Sequence, residues 1–462
     1  MTRHQTKGHV AVIDIGKTNA KLALVRLADL TEVAVLTSPN VVLPAPPYPH
    51  FDVEGHWAFI LDGLAQFQTD HGVQAITVTT HGAAGALIAA DGSLAAPILD
   101  YGRAGPDDVA PAYNSIRPPF AQTGSPRLSM GLNLGAQLFW QLHTDLGLRD
   151  RVAHVVTYPQ FWCHRLTGVL ATDVTSLGCH TDLWDPYAAT VSSLPAALGL
   201  SGKIAPHRKP GEVLGPILPA IAQRTGLATE TPVHCGIHDS NASLLPHLIA
   251  RTPPFSVVST GTWVIAMSVG GTPGTLDPAR DTLANVNAFG DVVPSARFMG
   301  GREHDIALAG QQVEPEEAHM TEVLTKGVML LPSVVPETGP FPGAQHRWIG
   351  GEPPLGSGVR SAAVACYLAM VTHRCLQLIG HQGDVIVEGP FARNHAYLTL
   401  LAAASSAPVY PMKSSTGTSE GAALLVAGGT ALERSATAPT RPQGQRLRQL
   451  MAYAKSWQAL QK

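Results

Sequence analysis

The chain lacks the features that would mark a secreted, membrane-spanning or nucleic-acid-binding protein. Its five cysteines, Cys163, Cys179, Cys235, Cys366 and Cys375, are odd in number and form no CxxC pair. They read as free thiols in a reducing cytoplasm rather than as a disulfide framework. No apolar run reaches the length of a membrane helix, and His4, Lys7 and His9 interrupt the start where the apolar core of a signal peptide would lie. Charged residues are scarce, 14% against 45% hydrophobic, and the formal net charge is −3. That balance argues against a nucleic-acid partner and for a well-buried globular enzyme. Zinc spacing is missing as well, since Cys179 with His180 and Cys235 with His238 lack two further ligands. Gly16-Lys17-Thr18 ends like a Walker A loop, but Ala11 stands where the first glycine belongs and a strand pattern follows in place of a helix. The expectation is a soluble cytoplasmic protein that binds neither nucleic acid nor membrane.

What is present begins at Val10–Leu27, VAVIDIGKTNAKLALVRL. Two apolar, strand-like runs flank a turn at Gly16 and Asn19, which reads as a hairpin. A glycine there lets backbone N–H groups approach an anion; Thr18 and Asn19 add donors, and Lys17 and Lys21 add positive charge. Asp14 would repel a phosphate directly, so it makes sense beside a magnesium ion that takes one or two carboxylates together with substrate phosphates. The pattern returns at Ser256–Ser268, where Ser259-Thr260-Gly261-Thr262 separates two more apolar runs. Two such hairpins half a chain apart, in 462 residues, suggest two similar domains pinching a phosphate chain. Between them, Gly55–Asp70 has helical spacing, Ala75–Thr80 reads as a strand ending at His81-Gly82, and strands then alternate with helices, an α/β pattern. Gly168 is placed as a helix C-cap, a domain boundary is placed near Pro253-Pro254, and a last helix is placed over Gln445–Gln461 after a tail from Thr430 to Gln443.

Val385–Val426 carries two further glycine-rich stretches, Glu388-Gly389-Pro390-Phe391-Ala392-Arg393-Asn394 and Thr416-Gly417-Thr418-Ser419-Glu420-Gly421-Ala422-Ala423. With them the chain resembles carbohydrate kinases of the FGGY family, within the actin, hexokinase and Hsp70 superfamily. The resemblance implies two actin-like (ribonuclease H-like) α/β domains, each a mixed sheet flanked by helices, with an interdomain cleft. Residues 1–248 would hold the sugar and the first phosphate turn, and residues 249–462 the second phosphate turn and the adenosine. It implies ATP and Mg²⁺ as cofactors, with Thr260, Gly261 and Thr262 on phosphate and with Gly389, Pro390, Asn394, Gly417 and Thr418 around the adenosine. Pro390 stands where a second glycine is common, and it has no N–H to donate. Lys21 replaces an arginine found in several members, so a bidentate guanidinium contact is lost.

The family's glycine-x-x-aspartate signature reads here Gly236-Ile237-His238-Asp239. The resemblance gives Asp239 the role of catalytic base toward the sugar hydroxyl and, with Asp14, a place beside the metal. On the sugar side it points to His81, Gly82 and, within Asp100–Asp108, Arg103. His238-Asp239-Ser240 and Ser259–Trp263 are similar to rhamnulokinase motifs, and Asp14–Asn19 to the fuculokinase version. A ketose of the L-rhamnulose or L-fuculose type leads, pentuloses (xylulose, ribulose) and polyols are the alternatives, and a non-catalytic nucleotide-clamping sugar sensor is the rival of another class. The expected partner is the small sugar itself, with a homodimer as the candidate assembly.

Overall fold

Alternation along the first strands decides how the first sheet is covered. In the computed structural model, which describes residues 8–412, 417–428 and 438–461, β1 (His9–Ile15), β2 (Asn19–Arg26) and β3 (Glu32–Pro39) form an antiparallel meander. Thr416 of the second expected adenosine loop and residues 430–437 of the expected tail lie outside the described residues. Successive side chains on a strand point to opposite faces. Ala11, Ile13 and Ile15 therefore join one buried cluster with Ile60, Leu64 and Phe67 of the helix α1 (Val53–Asp70). Val10 and Val12 join another, with Ala23 and Val25 of β2 and with residues of the helices Asp239–Ala250 and Thr418–Val426. α1 begins two residues before the expected Gly55, because the Asp52 carboxylate accepts the Gly55 N–H at 2.9 Å and caps the turn.

The chain divides into two compact units, Met1–Ala250 with Ala284–Val292 and Thr416–Glu433, and Arg251–Leu283 with Val293–Ser415 and Arg434–Lys462. The first unit holds a seven-stranded mixed sheet ordered Val213–Pro216, Pro232–His234, Ala75–Thr80, β1, β2, β3, with Ile237–His238 also pairing with Ala75–Thr80. Ala75–Thr80 runs parallel to β1 with Thr80 opposite Ile15, so the two strands end together, just before Gly16 and His81. The helix Tyr158–Thr167 stops at Gly168, which takes a left-handed φ of 77° as the expected C-cap.

The second unit is built on a six-stranded sheet ordered Thr282–Val286, Val292–Phe298, Val264–Val269, Phe255–Thr260, Asp384–Glu388, Val409–Pro411. Phe255–Thr260 and Val264–Val269 are antiparallel, the second expected hairpin, and Asp384–Glu388 runs parallel to the first of them. The 21-residue helix Gly358–Leu378, capped by Ser357, is buried along most of its length and organises this core. The last helix, Gly444–Ala459, starts at the glycine expected to mark the break.

One buried carboxyl belongs to this core. Glu303, 1% exposed, accepts the Tyr367 hydroxyl at 2.7 Å and the Val335 N–H at 3.2 Å. Burial raises its pKa to about 7, against those hydrogen bonds, which lower it. A carboxyl whose folded pKa lies above its unfolded value stabilises the fold fully below the unfolded value, and the contribution is lost as pH rises through the folded one. Glu303→Gln, which keeps the shape without the charge, should flatten the fall in stability between pH ~4.5 and ~7. The difference in stability between pH ~4 and ~8 should shrink by up to roughly 3 kcal/mol, as read from denaturant unfolding across pH.

Candidate functional site

Asp14 lies on the same face of β1 as Val10 and Val12, under the helices that head at Asp239 and Thr418. Its strand partner is Lys21, but the Lys21 ammonium donates to Glu32 at 2.7 Å. Asp14 instead accepts the Thr418 hydroxyl. Burial pushes its pKa up to about 6; the Thr418 bond works against this, and the charge of Asp239 adds to it. Two carboxylates thus feel one another across a buried face. The turn beyond β1 is closed by Gly16 N–H donating to Asn19 O at 2.9 Å, and Asn40 ties its far side, donating from its amide to Gly16 O at 2.7 Å.

Asp239 heads the helix Asp239–Ala250 directly after the two-residue strand Ile237–His238. The His238 peptide is fixed from below: its N–H donates to Thr175 Oγ1 at 3.0 Å, and the Thr175 N–H donates to the Asp173 carboxylate at 2.8 Å. His238 Nε2 lies 3.0 Å from Asp239 Oδ1, with side chains 6% and 30% exposed, and 3.8 Å from Cys179 Sγ. Burial works against the His238 charge, but Cys179 and Asp239 outweigh it and raise the pKa well above the usual imidazole range. Burial likewise opposes ionisation of Asp239, yet the His238 imidazolium beside it holds the carboxyl below its usual range. The Asp239 carboxylate is therefore ionised at neutral pH. Gly82 leaves room for this pair, since a Cβ there would lie 2.7 Å from His238 Nε2 and the imidazole would have to shift.

His81 stands among Phe51, Tyr101 and Tyr158, with ring centroids 5.1 to 5.3 Å away. Its Nδ1 faces Gly82 O at 2.9 Å, while its buried Nε2 has no hydrogen-bond partner among the described residues. Burial lowers its pKa to about 4, so the ring is neutral, and it feels the charges of Asp239 and Lys17. Lys17 donates to Asp100 and its ammonium sits 4.6 Å from the Tyr101 ring centroid. The first turn is thereby tied to the loop expected on the sugar side. Arg103 leans on Trp140 at 5.7 Å, its N–H donating to Asp100 O at 3.0 Å; no described contact joins its guanidinium to His81 or Asp239. Gly417 precedes the helix Thr418–Val426 as its N-cap residue.

The second unit gathers its own set. Gly261 N–H donates to Trp263 O at 2.9 Å, closing the turn. Thr260 Oγ1 donates to Glu388 O and accepts the Phe391 N–H at 3.1 Å, so the turn and the Gly389 loop are pinned together. Gly389 has φ +82°, and a Cβ there would collide with Thr260 O. Ligand sites are cavities of roughly 300 to 1,000 Å³; here one of about 860 Å³ is lined by Gly261, Thr262, Pro390 and Asn394, joined by Met299, Gly301, Arg302, His304, Asp305 and Arg393. Arg302, His304 and Asp305 were not anticipated. Their signal is Met299-Gly300-Gly301, a strand running through two glycines into the helix Gly300–Leu308, a pattern that brings helix N–H groups to a ligand.

Among the described residues, no group of three or more His, Cys, Asp or Glu could hold a metal by itself. Asp14 and Asp239 nonetheless fit magnesium, which uses one or two carboxylates and fills its shell with waters and phosphate oxygens. A buried carboxylate with a raised pKa is the kind of group a cation stabilises.

Residues 252–435 match the family described as carbohydrate kinase FGGY, C-terminal domain. The chain is similar to a crystal structure of a carbohydrate kinase from Novosphingobium aromaticivorans, 36% identical with a TM-score of 0.90, covering 98% of this chain and 100% of that one. It is also similar to L-fuculokinase of Escherichia coli (strain K12), 26% identical over 273 residues, 56% of each chain. The chain spans about half the length of the curated relatives it matches. A xylulose kinase from Rhodospirillum rubrum shares the fold at 22% identity, with a TM-score of 0.78 and 98% coverage of both chains.

The packing at Asp14 generates a direct test. A Cβ on Gly421, in the helix Thr418–Val426, would overlap Ala242 O in the helix Asp239–Ala250. Gly421→Ala should therefore destabilise the protein by about 1 to 3 kcal/mol, the usual cost of overpacking. Thermal unfolding checks this; an unchanged Tm would mean that the two helices are not closely seated.

Proposed function

Because this chain belongs to the FGGY carbohydrate kinase family, we propose that it transfers the γ-phosphoryl group of ATP to a hydroxyl of a small ketose, with Asp239 as general base. The observation that carries this reading is the ionised Asp239 carboxylate, held by His238 at the head of a helix and sharing its electrostatic neighbourhood with both Asp14 and His81. An alcohol is a weak nucleophile, and a carboxylate within reach accepts its proton as the new O–P bond forms and the bridging β,γ P–O bond breaks, releasing ADP. His238 lowers the basicity of Asp239. The proton then moves late, once the attacking oxygen has become acidic by bonding to phosphorus.

Asp14 and Asp239 would hold Mg²⁺, which when bound offsets the negative charge of the phosphates. The turn Gly16 to Asn19, with Lys21 nearby, and the turn Thr260 to Thr262 are assigned to the phosphate chain. Gly389, Pro390, Asn394, Gly417 and Thr418 are assigned to the adenosine. Pro390 and Asn394 both line the large cavity of the second unit, which supports that assignment.

On the sugar side, the Nε2 of neutral His81, which has no hydrogen-bond partner among the described residues, supports a ligand hydroxyl as that partner. Of the rings around it, Tyr101 keeps exposed surface and suits an apolar sugar face or methyl group, while Phe51 and Tyr158 are buried beside the imidazole. With the L-fuculokinase relatives and the His238-Asp239-Ser240 motif, this favours a 6-deoxyketose of the L-fuculose or L-rhamnulose type. A pocket of this kind separates such a sugar from a pentulose by about 1 to 3 kcal/mol per methyl group. Lys17, bound to Asp100, would join the phosphate turn to the sugar loop.

Asp239→Asn should lower kcat by roughly 10²-fold or more while leaving binding of ATP measured without Mg²⁺ nearly unchanged. Steady-state kinetics beside nucleotide-binding calorimetry would read both. Near-normal turnover would remove Asp239 from the role.

A further inference from the structure

A second cavity, about 560 Å³, lies in the second unit and shares no residue with the one lined by Gly261 and Asn394. Its polar wall comes from one face of the helix Gly358–Leu378, where Met370, His373, Arg374 and Gln377 follow at i, i+3, i+4 and i+7. Arg280, from the short helical turn Pro278–Arg280, faces it. The apolar wall includes Phe341 and Trp457, whose rings meet edge-on at 5.8 Å.

The charge here is one-sided. No carboxylate is among the lining residues. Arg280 has Asp277 3.6 Å away in its own turn, and Arg374 has the neutral Gln377 amide oxygen at 3.2 Å. Burial and the repulsion of Arg280 both disfavour the Arg374 charge. His373 adds an independent sign of a missing partner: it is 8% exposed, and its Nδ1 has no hydrogen-bond partner among the described residues. Buried polar atoms are nearly always paired, with protein, water or ligand. Two guanidinium groups facing an aromatic wall, with the orphaned imidazole nitrogen of a third lining residue, favour an anion with an apolar body.

We propose that this cavity is a binding site for a small phosphate monoester, its phosphate between Arg280 and Arg374 with His373 as a further contact, and its organic part against Phe341 and Trp457. The site is separate from the reaction assigned above and does not depend on it.

Phenyl phosphate is a suitable probe, titrated calorimetrically in the presence of saturating ADP so that other phosphate sites are filled. One site should appear, and Arg374→Gln should weaken it by about tenfold or more with the same thermal unfolding temperature. If Arg374→Gln does not fold, Arg280→Gln supplies the same test. Phenol, which lacks the charge, should not bind, and inorganic phosphate should bind more weakly than phenyl phosphate. Unaltered affinity in both variants, equal binding of phenol, equal binding of inorganic phosphate, or no binding up to about 10 mM would each overturn the proposal.

Discussion

The close seating of two helices on one face of the first sheet is the constraint on which the candidate site depends. Gly421 lets the helix Thr418–Val426 approach the backbone of Ala242 more closely than a Cβ would allow. Both helices share the buried cluster of Val10, Val12, Ala23 and Val25. Because Asp14 follows Val10 and Val12 at the strand period, the same packing that buries two valines delivers a carboxylate to the heads of both helices. Thr418 then reaches Asp14, and Asp239 comes near enough for the two charges to interact. A local rule about alternation and a missing Cβ thus become a site more than 400 residues long in sequence separation, with Thr418 bonded to Asp14 at a spacing of 404.

The charges around this site are nearly all engaged. Lys21 is held by Glu32 and Lys17 by Asp100; neither ammonium stands alone at the turn. On the proposed reading the turn would meet phosphate with the backbone N–H groups beyond Gly16 and the Thr18 and Asn19 side chains rather than with a dedicated lysine. Asp239 shows the complementary arrangement. Its partner His238 keeps it ionised despite burial, and the His238 peptide is braced through Thr175 to the buried Asp173.

Much of this was legible in the sequence because it is local. Both hairpins, the strand Ala75–Thr80, the Gly168 cap and the last helix follow from period, glycine and capping within short windows. The Gly389 loop was legible through its likeness to the family's glycine-rich loop, and the structure adds that Gly389 takes a positive φ after an apolar strand. What was not legible depends on long-range partners. Nothing in Gly16-Lys17-Thr18 announces that the ammonium turns toward Asp100 and Tyr101, 83 residues on in the first case. Nor does Arg103 announce that it packs on Trp140. Arg302, His304 and Asp305 sit in a polar stretch, Gly300 to Asp305, whose lack of apolar period hides it until the preceding strand places it at the cavity.

In the proposed reaction a sugar hydroxyl, activated at Asp239, receives the phosphoryl group. A coupled ADP-release assay of the full chain with ATP and Mg²⁺ across ketoses, aldoses and polyols tests it most directly. The expected result is ADP release that depends on sugar, is greatest with L-fuculose or L-rhamnulose among the ketoses, and yields one sugar phosphate per ADP. Release of ADP at the same rate with and without every sugar, or none at all in the presence of bound ATP, would contradict it.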